Sequence, residues 1–245
     1  MRLAVISDLH IGPSPNTDAF GHDADQFCSF LDRLEASHDR IILLGDIYQC
    51  DHGPIPGRES EIRQLKSAQQ RSQWLTDRIA DSGYVLLSGN HDTVTTEVLG
   101  AQKLLVLEDN GVRVLLTHGD QFDPALQNIP MLSATATWFV GRLRSAGLRG
   151  VSQWLEGRDV SIKADRFQIA EGPYAEGAKQ LMREHRTDFV VFGHTHVPWK
   201  QNINAGFLLN SGTCSLGQRM FVSIDTRTRT GSWTRGDRDQ PTNTS

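Results

Sequence analysis

Nine side chains stand where short apolar runs stop, and their types suit metal chemistry. Asp8 and His10 follow "RLAVIS", Asp46 follows "RIILLG", and Asn90, His91 and Asp92 follow "YVLLSG". His118 follows "RVLLT", and His194 and His196 follow "DFVVFG". Asp8, Asp46 and Asn90 offer oxygen, His10, His118, His194 and His196 offer imidazole, and no cysteine is among them. That mixture suits Mn, Fe(II), Zn, Co or Ni better than Ca or Mg alone. Seven donors are too many for one tetrahedral site with an open position. They suit two ions sharing a bridging carboxylate, the arrangement used for hydrolysis by paired metals. Taken singly, His118 reads as structural and a strand-end aspartate as a turn cap. Five strand ends carrying such residues together favour the metal.

The elements that must position them alternate. The five runs, Arg2–Ser7, Arg40–Gly45, Tyr84–Gly89, Arg113–Gly119 and Asp188–Gly193, read as strands. Phe27, Phe30, Leu31 and Leu34 repeat at helical spacing, as do Leu65, Ala68, Trp74, Leu75 and Ile79. Strand and helix in alternation imply a buried sheet flanked by helices. Ligands in such folds gather at the carboxyl ends of the strands. After Gly206 the runs "GFLLNSG", "RMFVSIDT" and "GSWTRGD" are closely spaced strands, expected to close the sheet as a meander. The polar "DRDQPTNTS" is expected to fray.

The ordered set "DLH", "GD", "GNHD", "THGD" and "GHTH" resembles the calcineurin-like metallophosphoesterase superfamily across Asp8 to His196. The resemblance implies a four-layer α/β sandwich, two mixed sheets flanked by helices, with a dinuclear centre. Asp8, His10 and His196 would hold one ion and Asn90, His118 and His194 the other, with Asp46 between them. Manganese is the expected metal, with Fe, Zn, Co or Ni as alternatives. The implied reaction is attack on phosphorus by a hydroxide shared between the ions. His91 resembles the family's non-ligand histidine, which would bond the phosphoryl group or protonate the leaving oxygen. Asp92 is expected to orient His91 and raise its pKa, so both count as catalytic. Asp120 reads equally as a turn cap or as support for a ligand.

Composition bounds the rest. A chain of 245 residues is expected to form one domain, 1–245. A net charge of -4 argues against a stable nucleic-acid partner. Three dispersed cysteines argue against a disulfide framework, and no apolar run reaches a membrane span or a signal-peptide core, so a cytoplasmic place is expected. His38 and His185 read as solvated, while His22 and His52, in loops after the first two motifs, read as lining the site mouth.

The stretch between "THGD" and "GHTH" exceeds a crossover. It carries Trp138, Phe139, Leu143, Leu148 and Trp154 with Arg142, Arg144 and Arg149 interleaved. A helical cap is expected over about 121–172, with Arg142 and Arg149 clamping a phosphorylated substrate. The alternatives are a helix packed on the core with solvated arginines, or a basic face touching a membrane. An insertion here resembles the UDP-2,3-diacylglucosamine pyrophosphatase branch. That implies a Mn-dependent pyrophosphate hydrolase, a lipid-linked substrate, and contact with the inner membrane face through the cap. The chain departs from that branch at His91, where the branch reads arginine, and in the longer loop Tyr48–Gly57. Three functions therefore stand side by side. They are a diester or pyrophosphate hydrolase, a phosphomonoesterase acting on small esters or phosphoprotein, and a metal-binding scaffold without turnover. The scaffold is disfavoured because every ligand position is filled.

Overall fold

Strand β1 (Arg2–Ile6) is apolar at four successive positions because both its faces are buried. Leu3 and Val5 enter one core, and Ala4 and Ile6 another. The computed structural model describes residues 1–128, 138, 142, 143 and 172–236. In the described chain the same division recurs in β2 (Arg40–Leu44), where Ile42 and Leu44 face one side and Ile41 and Leu43 the other. Strand alternation thus explains why these runs read as continuous hydrophobic stretches.

Two mixed sheets of five strands result. The first has the order β10-β9-β1-β2-β3, with β3 at Val85–Leu87, β9 at Met220–Asp225 and β10 at Thr230–Arg235. The second has the order β4-β5-β6-β8-β7. Its strands are β4 (Leu104–Asp109), β5 (Val112–Thr117), β6 (Phe189–Phe192), β7 (Trp199–Ile203) and β8 (Gly206–Asn210). Leu3, Ile42 and Leu44 meet Val114, Leu116, Phe189 and Val191 between the sheets. Helices α1 (Ala24–Ser37), α2 (Arg58–Arg71) and α3 (Gln73–Asp81) cover the first sheet through Phe27, Leu31, Leu65 and Leu75. After the short α4 (Thr95–Val98) and α5 (Pro124–Asn128), helix α6 (Pro173–His185) covers the second through Ala175, Ala178 and Met182. The expected four layers are present.

Several expectations are corrected. The C-terminal strands do not form one meander. β8 pairs β6 in the second sheet, whereas β9 pairs β1 in the first. The chain changes sheet between Asn210 and Met220, burying Ser211, Thr213, Cys214 and Ser215 on the way. The second helical stretch breaks at Ser72, whose hydroxyl donates to the Ala68 carbonyl. His38 is not simply solvated: its ring bonds the Leu34 carbonyl and Ser223, tying α1 to β9. Most of the expected cap, including Arg149, lies outside the described residues. No helix among the described residues is long and apolar enough to cross a membrane.

Candidate metal centre

The loops after β1, β2, β3, β5 and β6 are tied to one another by backbone hydrogen bonds. Asp8 N–H donates to the Gly45 carbonyl, His10 N–H to that of Asp46, Cys50 N–H to that of His91 and Gly193 N–H to that of His118. The glycines of the motifs are spatial necessities. A Cβ on Gly45, whose φ is +87°, would lie 2.6 Å from His118 Nδ1, and one on Gly89 would lie 2.2 Å from Asp46 Oδ1. Asp8, His10, Asp46, His194 and His196 all hold left-handed backbone, with φ between 50° and 67°. Such geometry costs non-glycine residues on the order of 1–3 kcal/mol each and gathers at functional sites.

The donor atoms converge. Those of Asp8, His10 and His196 lie within 4.8 Å of one another, as do those of Asp46, His118 and His194. Asp46 Oδ2 lies 3.1 Å from His118 Nε2 and 3.9 Å from His10 Nε2, so it faces both groups. His196 Nε2 lies 3.2 Å from Asp8 Oδ1, and Asn90 Oδ1 lies 2.9 Å from His194 Nδ1.

The far side of three of the four rings is occupied. His10 Nδ1 bonds Gln49 Oε1 at 2.9 Å, His118 Nδ1 bonds the Leu44 carbonyl at 2.9 Å, and His194 Nε2 bonds Asp123 Oδ2 at 3.0 Å. A neutral ring that donates on that side turns a lone pair inward. His118 Nε2 then faces a carboxylate and His194 Nδ1 an amide oxygen, electron density against electron density unless a proton or cation lies between. Asp8 Oδ1 and His118 Nε2 are buried, and neither has a hydrogen-bond partner among the described residues. Burial drives His10 down to about 3, so it resists protonation. Burial opposes ionisation of Asp8 also, but His196 and His118 outweigh it and hold Asp8 near 2. Two buried carboxylates are thus held ionised by imidazolium charge beside them, a positive charge that divalent cations would supply in place of the ring protons, with outer partners fixing three of the rings.

His91 sits beside this group, its ring 5.0 Å from that of His10. The expectation for Asp92 is overturned. Asp51, not Asp92, reaches His91, with Oδ2 2.8 Å from Nδ1. Burial alone would keep His91 neutral, but Asp51 and then Asp46 raise it to about 9. Asp92 is fully buried and accepts from the N–H groups of Gly89 (2.7 Å), Ile47 (2.8 Å), Tyr48 (3.2 Å) and Asp46 (3.3 Å). It clamps two loops rather than serving the histidine. Asp92→Ala should strand these amides and lower stability by about 3 kcal/mol. Urea unfolding of metal-free protein measures this directly, and a loss under about 1 kcal/mol would contradict the clamp.

Sequence reading did not find Gln49, Asp51 or Asp123. Asp123, held by the Tyr174 hydroxyl at 2.9 Å, takes the supporting place considered for Asp120. Of the two loop histidines, His52 lies next to His91, their rings 6.2 Å apart, with Nε2 3.9 Å from Asp51 Oδ1. His22 packs against Phe20 and Phe27 and bonds the Cys214 carbonyl, a structural placement. Arg142 is exposed to solvent. Trp138, also from the expected cap, donates its indole N–H to the Gly53 carbonyl at 3.2 Å.

A family model described as calcineurin-like phosphoesterase matches residues 1–198. A curated UDP-2,3-diacylglucosamine hydrolase from Bordetella pertussis is 27% identical over 219 residues, 80% of this chain and 77% of that one. Its namesake from Stenotrophomonas maltophilia strain K279a is 26% identical over 238 residues, 84% and 86% of the two chains. A solved archaeal phosphodiesterase superposes with TM-score 0.48 at 11% identity, covering 96% of this chain and 99% of that one.

Proposed function

The chain belongs to the calcineurin-like phosphoesterase family and is a metal-dependent phosphoric ester hydrolase, and from that premise we propose that it cleaves a phosphodiester or pyrophosphate at a dinuclear centre. One observation carries the reading: Asp46 Oδ2 faces His118 on one side and His10 on the other. Asp8, His10 and His196 would hold one ion, Asn90, His118 and His194 the second, and Asp46 both. When bound, such ions acidify a water and neutralise phosphoryl charge. The chain's own residues do the rest. Gln49, the Leu44 carbonyl and Asp123 hold three rings in the ligating tautomer. His91, charged by Asp51, donates to the phosphoryl group or to the departing oxygen.

The curated relatives act, by name, on UDP-2,3-diacylglucosamine, which supports a phosphorylated, lipid-linked substrate. The same reading carries a single domain over 1–245, a cytoplasmic place, and contact with the inner membrane face through the stretch of about 121–172, most of which lies outside the described residues. A site that mixes carboxylate and imidazole without thiolate suits Mn, Fe(II), Zn, Co or Ni, and among these manganese is proposed on the resemblance to the pyrophosphatase branch. Dialysis against chelator should abolish hydrolysis of bis(p-nitrophenyl) phosphate, and manganese should restore it, with saturation near two equivalents. Saturation at one equivalent would overturn the paired site. Faster turnover of p-nitrophenyl phosphate than of the diester would favour a phosphomonoesterase.

A further inference from the structure

A cavity of about 180 Å³ opens beside Asn90. Its wall is the loop from Cys50 to Gly57 and the start of α2, the region in which this chain departs from the pyrophosphatase branch. Asp51, Glu61 and Trp138 line it, and none of its described lining residues is basic. Asp51 is already engaged by Gln49 and His91, but no hydrogen bond or ion pair among the described residues engages the Glu61 carboxylate. Ser60 also lines the cavity, 4% exposed, with an Oγ that has no hydrogen-bond partner among the described residues. A buried hydroxyl and a half-buried carboxylate left unengaged beside an aromatic side chain are costly unless a ligand supplies donors.

We propose that this cavity receives an ammonium-bearing alcohol arm of the substrate, which makes the preferred ester a zwitterionic phosphodiester of an amino alcohol. The inference rests on the phosphodiesterase reading and narrows it. An ammonium group donates to Glu61 and Ser60 and meets the indole of Trp138, a favourable partner for cations. A second phosphate in the same place would face Glu61, whose charge no described cation offsets, whereas that of Asp51 is offset by His91. The pocket therefore disfavours a nucleoside diphosphate beside Asn90.

The test compares two esters on manganese-loaded protein, the p-nitrophenyl ester of phosphoethanolamine and p-nitrophenyl ethyl phosphate, its counterpart without the amine. Wild type should prefer the first by roughly tenfold or more in kcat/KM. In Glu61→Gln with unaltered metal content, the ratio should fall to near one. Equal rates in wild type, or a preference that survives Glu61→Gln because Glu61 serves only the start of α2, would overturn the proposal. If neither ester is hydrolysed, the phosphodiesterase reading itself fails. Calorimetric titration of phosphoethanolamine against ethyl phosphate then decides the pocket alone. Tighter binding of the amine, lost in Glu61→Gln, supports it, and equal binding refutes it.

Discussion

Asp46→Ala should lose hydrolysis by at least about 10³-fold in kcat/KM, equivalent to about 4 kcal/mol of transition-state stabilisation. The reason is geometric. Asp46 holds the middle of the centre, one oxygen 3.1 Å from His118 Nε2 and 3.9 Å from His10 Nε2, the other accepting from His91 N–H at 2.9 Å. Without it both groups of donors lose their shared anion, so metal content should drop by roughly half or more. Asp46→Asn, which keeps the shape and removes the charge, should lose activity as well. Circular dichroism separates this from unfolding. Wild-type turnover in a folded Asp46→Ala protein would sink the bridging assignment.

His91→Ala carries the second largest effect, and its size should depend on the leaving group. A positioned general acid contributes about 10²–10⁴-fold where the departing oxygen needs a proton. An alkoxide needs one, whereas p-nitrophenolate leaves unaided at neutral pH. The variant should therefore lose that factor on alkyl esters and far less on p-nitrophenyl esters, with metal content retained. An equal loss on both would show that His91 binds the phosphoryl group in ground and transition state rather than protonating the leaving oxygen. The residue to vary beside it is Asp51, 2.8 Å away, and not the adjacent Asp92.

Much of the fold was legible because burial writes itself into residue order. Both faces of β1, β2, β5 and β6 are covered, so apolar runs of three or four residues mark them. Strand β4 escaped notice although a signal was present. Asn110 and Gly111, both at positive φ, turn the chain between β4 and β5, and "NG" favours that hairpin turn. β7 escaped for a different reason. Among the described residues it is an edge strand with half-buried, partly polar residues, "WKQNI", and pairs only with β8.

The donor set was legible in the same way. Strand ends that carry Asp, Asn or His at five places in a fixed order leave little else for those residues to do. Their partners were not. Asp51 serves His91 across 40 residues of chain, and Asp123 serves His194 across 71. Neighbourhood in sequence suggested Asp92 and Asp120 instead, because chain order says nothing about which loops lie side by side. Residue types and strand periodicity are local properties, readable along the chain. Which carboxylate holds which ring, and which loop walls the substrate cavity, are settled only when two sheets stack and bring their strand ends to one edge.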